Sequence, residues 1–192
     1  MHDELPHPDV FARLHNCHDR LRRELASLTA ATAALLTDHD DPPSIAAVHD
    51  AVSYFDRAIT RHEEDEEKSL FPRVAHLPEL EPTLAALQAE HTSQRDLHDA
   101  LRSLASTPLD REALTQIDQI ARALDRSYAL HLAREEQELF PLAARSLAPE
   151  TLTVIDSEME ARRGGGGRGG GGGGGGGRGG GGGGGGGRGR RD

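Results

Sequence analysis

Four long stretches of the chain carry apolar residues at intervals of three and four, the spacing that lines one stripe of an α-helix. The first runs from about Pro8 to Thr37, with Phe11, Leu14, His18, Leu21, Leu25, Leu28 and Leu35 on the stripe and Arg13, Arg20, Arg22, Arg23 and Glu24 elsewhere. The second runs from about Pro43 to His76, and its stripe reads Val48, Val52, Phe55, Ile59, His62, Glu66 and Leu70. The third, about Glu81 to Ser106, places Leu84, Leu87, His91, His98 and Leu101 on one line, with Leu97 and Leu104 beside it. The fourth, about Leu109 to Leu147, aligns Leu114, Ile117, Ala121, Leu124, Tyr128, His131, Glu135 and Leu142. A short amphipathic piece follows from Glu150 to Ala161, carrying Leu152, Ile155 and Met159.

The breaks between these stretches are short and polar. Asp38 to Pro43 ends in a good N-cap, Pro78 and Pro82 bracket a turn, and Thr107-Pro108 precedes Asp110, which can open the next helix. Pro72 falls late in the second stretch, where it is expected to kink or end the helix. Long helices joined by short connectors must be mostly antiparallel neighbours. The expected fold is all-α, an up-down-up-down four-helix bundle.

Composition sharpens this picture. All 23 glycines lie between Gly164 and Gly189, and so residues 1–163 have none, which argues against β-hairpins. With no Trp, two Tyr and four Phe, the core must be aliphatic. Residues 1–161 are therefore expected to form the bundle with its short C-terminal helix. Residues 162–192, where Arg168, Arg178 and Arg188 interrupt the glycine runs, are expected to be a disordered Gly/Arg-rich tail.

Charge divides at the same place. Residues 1–161 hold 15 Lys or Arg against 31 Asp or Glu, whereas residues 162–192 hold seven Arg and one Asp. The acidic bundle is a poor binder of nucleic acid; the tail could bind RNA or other anions, but it lacks the interleaved aromatics such segments use. Cys17 is the single cysteine, so no disulfide framework exists within the chain. The start, MHDELPHPD, lacks the apolar region of a signal peptide, and no stretch approaches the roughly 20 apolar residues of a membrane span. A cytoplasmic, monomeric protein with no membrane partner is the expectation.

The chemistry is concentrated in one repeat. His62 to Pro72 reads HEEDEEKSLFP and returns 69 residues later as HLAREEQELFP, from His131 to Pro141. Residues four apart differ by about 40° around a helix, so His62/Glu66 and His131/Glu135 each present side by side. Both pairs continue the apolar stripe of their own helix, and His18 and His91 lie on the stripes of the other two. Ionised carboxylates in a dry core cost several kcal/mol each unless paired or coordinated. Four imidazoles and two carboxylates converging on one interior are most simply explained by bound metal, and a donor set without thiolate suits iron and other first-row metals. Two metals bridged by Glu66 and Glu135 follow, with His18 and His62 on one and His91 and His131 on the other.

A lone stripe histidine is more often a hydrogen-bonded core residue, and one H-x-x-x-E pair is common by chance. The repeat of the pair, with a stripe histidine on each remaining helix, is what outweighs that reading. Two other helical metal patterns fail. Ferritin-like proteins place Glu three residues before His on their core helices, and here the only such pair is Glu4 and His7. The H-E-x-x-H motif needs a histidine where this chain has Glu66.

With these residues in view, the chain resembles the hemerythrin-like, or HHE, domain over about residues 9–147. The phrases CHDRLRREL, YFDRAITRHEEDEEKSLFPRV, EHTSQRDLHDAL and HLAREEQELFP are similar to its helix signatures. The resemblance implies ligands His18, His62, Glu66, His91, His131 and Glu135 around two iron ions in an oxo- or hydroxo-bridged di-iron centre. It also shows departures. The oxygen-carrying hemerythrins have a second histidine one turn after the helix-three ligand, where this chain has Arg95. Their last bridging carboxylate follows its histidine by five residues, whereas Glu135 follows His131 by four. Glu63 is a candidate extra oxygen donor, His15 an alternative to His18, and His98 a residue for an outer role. Glu67 and Glu136 are placed to orient metal-bound rings, and Tyr128 to hydrogen-bond near the site. Cys17 reads as a small, partly buried residue. The remainder of the run Glu63-Glu64-Asp65-Glu66-Glu67 reads as a solvated face, and Leu-Phe-Pro as a cap on the bundle beyond the metals.

The functional expectation is a protein that binds or senses iron and O2, peroxide or nitric oxide, with modest redox activity at most. The alternatives are a di-iron enzyme that consumes peroxide or nitric oxide, and a metal-independent helical interaction module. With Arg95 where a further imidazole would sit, reversible O2 carriage is disfavoured.

Overall fold

The computed structural model describes residues 10–164, and all regular structure among them is helical. Helix α1 spans Val10–Leu35. Helix α2 runs through residues 42–74 and helix α3 spans Glu81–Ala105, after a 3₁₀ turn at Pro78–Leu80. Helix α4 runs through residues 111–146, and α5 spans Pro149–Gly164. Side chains at the predicted breaks start two of these helices. Asp41 accepts from the backbone N–H of Ser44 at 3.1 Å, and Asp110 accepts from that of Ala113 at 2.9 Å.

Helices α1 and α2, α2 and α3, α3 and α4, and α1 and α4 are neighbours, which closes the four-helix ring. The predicted stripes face its interior and form two apolar clusters. One joins the second half of α1 to the first half of α2 and α4, with Leu28, Phe55, Ile117 and Leu124 at its centre. The other lies at the opposite end, where Leu14, Leu70, Leu87, Leu139 and Phe140 meet Ile155 and Met159 of α5. Each fully buried leucine contributes roughly 2 kcal/mol relative to exposure. Between the clusters lies a single polar layer, and it contains the repeated His/Glu pairs. The Leu-Phe pairs of the repeat belong to the second cluster, so they wall the layer from below.

The prolines of the repeat end neither helix. Helix α2 continues through Pro72 to Val74, and α4 through Pro141 to Ser146. Each proline follows a π-helical turn, Glu66–Leu70 or Glu135–Leu139, closed by the N–H of Phe71 on the Glu66 carbonyl and of Phe140 on the Glu135 carbonyl. The wider turn admits a ring that would otherwise meet the carbonyl four residues back. A third π-turn, Phe55–Ile59, lies earlier in α2.

Helix α5 crosses α1 and α2 and ends three residues later than the sequence pattern predicts. Arg162 and Arg163, which composition assigns to the tail, are part of this helix. Both hold Asp65, which is fully buried on α2, at 2.7 and 2.6 Å. The rest of the Gly/Arg segment lies outside the described residues.

Candidate metal centre

His18 of α1, His62 and Glu66 of α2, His91 of α3, and His131 and Glu135 of α4 meet in the polar layer, none more than 2 % exposed. Each glutamate is the first residue of a π-turn, so the extra residue in that turn falls where the chain must aim a carboxylate inward without losing the stripe below it. The two carboxylates divide their oxygens in the same way. Glu66 directs Oε1 to Nε2 of His62 and Oε2 to Nε2 of His91, both at 3.4 Å. Glu135 directs Oε2 to Nε2 of His18 at 3.1 Å and Oε1 to Nε2 of His131 at 3.2 Å. The result is two groups, His18-His62-Glu66-Glu135 and His91-His131-Glu66-Glu135, each with ligating atoms within 4.8 Å of one another.

The protonation pattern crowds unpaired lone pairs into this layer. Nδ1 of His18 donates to Glu136 at 2.8 Å, that of His91 to Glu67 at 2.8 Å, and that of His131 to Glu90 at 3.0 Å. A carboxylate cannot donate, so in the neutral rings the proton is on Nδ1 and the Nε2 lone pair faces inward. Nε2 of His91 and Nε2 of His131 then face each other at 3.2 Å, beside four carboxylate oxygens. Nε2 of His18, both nitrogens of His62 and all four oxygens of Glu66 and Glu135 are buried without a hydrogen bond. Lone pairs concentrated in this way repel unless protons or a metal ion come between them. In the metal-free protein, burial and the Glu135 charge raise Glu66 well above the usual carboxylate range. Burial would lower His131, yet its contacts with Glu135 and Glu90 outweigh that and raise it. The residues fit divalent cations, held by imidazole and carboxylate.

The family model of the hemerythrin HHE cation-binding domain matches residues 9–143 and again residues 83–161. The chain belongs to this family. All six residues of the polar layer fall within the first match. The HHE domain here is also similar to a Haemophilus influenzae protein described only as uncharacterized, 28 % identical over 152 residues, covering 78 % of this chain and 87 % of that one. This domain is a cation-binding module, and none of its described helices is long and apolar enough to cross a membrane.

The repeat of this HHE domain supports the histidines across helices. Glu67 of α2 holds His91 of α3 while Phe71 stacks on the same ring, centroids 6.0 Å apart. Glu136 of α4 holds His18 of α1 while Phe140 stacks on it at 5.4 Å. Arginines hold these carboxylates from outside: Arg95 on Glu67, Arg22 on Glu136 at 2.8 Å, and Arg134 on Glu90. The placement of Glu67 and Glu136 was legible in the sequence. Glu90 has no such signal, because it lies off the stripe and serves a histidine on another helix.

The remaining candidates fall elsewhere. Glu63 accepts from Arg95 at 2.6 Å through Oε2, and it joins neither group of ligating atoms; burial pushes it up to about 7. His15 is half-exposed, with Nδ1 3.6 Å from Glu136 and its ring against Phe140, so His18 occupies the interior position. His98 stacks on Phe55 at 4.5 Å and shares a 3.2 Å hydrogen bond with the Tyr128 hydroxyl, one layer from the centre. Tyr128 reaches His131 only through its ring edge. Cys17 is partly buried, and burial raises its thiol to about 11.

The acidic run is not a solvated face. Glu63 and Asp65 are buried alongside Glu66, while Glu64, paired with Lys68 at 2.5 Å, and Glu67, bound to His91 and Arg95, are half-buried. The reason is cationic partners from distant sequence, Arg95 for Glu63 and the two α5 arginines for Asp65.

Proposed function

We propose that this protein holds two iron ions in the polar layer, bridged by Glu66 and Glu135, and that it binds or senses O2, peroxide or nitric oxide there. The observation that carries this reading is the way each carboxylate divides its oxygens between the His18/His62 pair and the His91/His131 pair. A donor set of imidazole and carboxylate without thiolate favours iron over softer choices. Two iron ions would supply a redox-active position open to a small oxidant. The protein's own residues prepare that position. Glu67, Glu90 and Glu136 accept hydrogen bonds from the Nδ1–H groups and fix the rings, which sharpens the Nε2 lone pairs. The apolar clusters above and below exclude bulk water. Arg95, bound to Glu63 and Glu67, occupies the place of a further imidazole, which supports sensing or modest redox chemistry over reversible O2 carriage.

The test is anaerobic purification of the full chain, metal analysis, and a near-ultraviolet spectrum before and after O2. About two irons per chain, with new absorption on oxidation, are expected. A folded protein that takes up no metal would refute the reading and leave a helical interaction module. Sustained loss of peroxide or nitric oxide, abolished in Glu66→Ala, would make it a consuming enzyme instead. Deleting residues 165–192 should leave metal content unchanged.

A further inference from the structure

Three of the four central histidines are held by a carboxylate, and the fourth is not. His62 is buried, and its Nδ1 has no hydrogen-bond partner among the described residues. The internal repeat explains the gap. The residue before His91 is Glu90, which reaches across to His131; the residue before His18 is Cys17, which has no carboxylate. The residue three after His131 is Arg134, which holds Glu90; the residue three after His62 is Asp65, which is committed to Arg162 and Arg163. His131 therefore ends a complete Arg-Glu-His chain, as His18 does through Glu136 and Arg22, where its repeat counterpart His62 has none.

We infer that the two cation positions are unequal: the position formed by His91 and His131 fills first and holds tightly, and the position formed by His18 and His62 is the exchangeable one. The inference rests on the two-metal reading above. Both positions share Glu66 and Glu135, so the comparison isolates the imidazoles. His91 and His131 each donate to a carboxylate, whereas of the other pair only His18 does. Such a partner fixes the ring and raises its basicity, and losing one typically lowers metal affinity about 10–100-fold. The position on His18 and His62 is thus expected to bind about 10–100-fold more weakly.

The test is an anaerobic calorimetric titration of the metal-free full chain with Co(II), beside the variants His62→Ala, His91→Ala and Cys17→Glu. Wild type should show two binding classes separated by about 10–100-fold. His62→Ala should keep the tight class and lose the weak one, while His91→Ala should do the reverse. Cys17→Glu places a carboxylate where the repeat has Glu90 and should narrow the gap. The wild-type titration needs no variant to fold. Two equal classes, or a tight class lost in His62→Ala and kept in His91→Ala, would overturn the inference while leaving the two-metal reading intact. No Co(II) binding by the folded wild type would overturn both.

Discussion

Glu90 is adjacent to His91 in the chain, yet its carboxylate accepts a hydrogen bond from the Nδ1–H of His131 on the next helix, 3.0 Å away. Arg134, one turn beyond His131, grips the same carboxylate, so α3 and α4 are joined through the ring that faces the centre. Glu90→Gln keeps the size of the side chain but removes its charge. It should weaken cation binding about 10–100-fold with little change in fold. Competition against a chelator of known affinity measures this directly. Wild-type affinity in Glu90→Gln would mean that a neutral acceptor serves the His131 ring as well as a charged one.

The six central residues were readable because each continues an apolar stripe, so the helical period that locates the core also locates them. Glu67 and Glu136 were readable from the repeat. What the sequence concealed depends on contacts between distant segments. Asp65 looks like one more acid in a charged run, and its partners lie 97 and 98 residues away in a stretch whose composition matches the glycine tail. Glu90 points away from its own stripe. The π-turns have no signature in a three-and-four pattern, and the prolines that mark two of them read equally well as helix ends. The first of the three has no proline at all.

Glu66 is costly to the metal-free fold. Burial and the neighbouring Glu135 charge both disfavour its ionised form. Glu66→Gln removes the cost of protonating or burying this carboxylate, and its amide can donate to the inward lone pairs of His62 and His91. The metal-free variant should be more stable than metal-free wild type by about 1–3 kcal/mol, while losing the capacity for a second cation. Urea unfolding of both chelated proteins tests the first claim and metal analysis the second. A destabilised variant would mean that protons already relieve the cluster fully in the metal-free state.

The clamp of α5 on α2 should respond unequally from its two ends. Arg162→Ala with Arg163→Ala leaves Asp65 buried and unpaired, a loss of about 3–5 kcal/mol. Asp65→Asn leaves two arginines at 18 % and 35 % exposure, which can turn to solvent, so the loss should be only about 1–2 kcal/mol. Combining all three changes should cost less than the sum, since the residues share one network. Negligible losses from both ends would show that α5 is held by Ile155 and Met159 and not by the ion pairs.

His98 gives the metal-free protein a pH dependence of determinable sign. Burial is the main cause that lowers it, from 6.5 to about 4. Between those values the unfolded chain binds a proton that the folded ring refuses, so stability rises with pH across the window. Stability from this group is complete above about pH 6.5 and falls away as pH drops through about 4, a loss of about 3 kcal/mol. His62, lowered to about 3 chiefly by burial and then by the charge of His18, adds to the same slope. Replacing His98 by Leu forfeits the Tyr128 hydrogen bond at every pH but removes the titrating ring. The plot of unfolding free energy against pH should therefore be lower at neutral pH and flatter between pH 6.5 and 4 than in wild type. An unchanged slope would mean that His98 is protonated as readily in the folded protein as in the unfolded chain, which its stacked position between Phe55 and Tyr128 argues against.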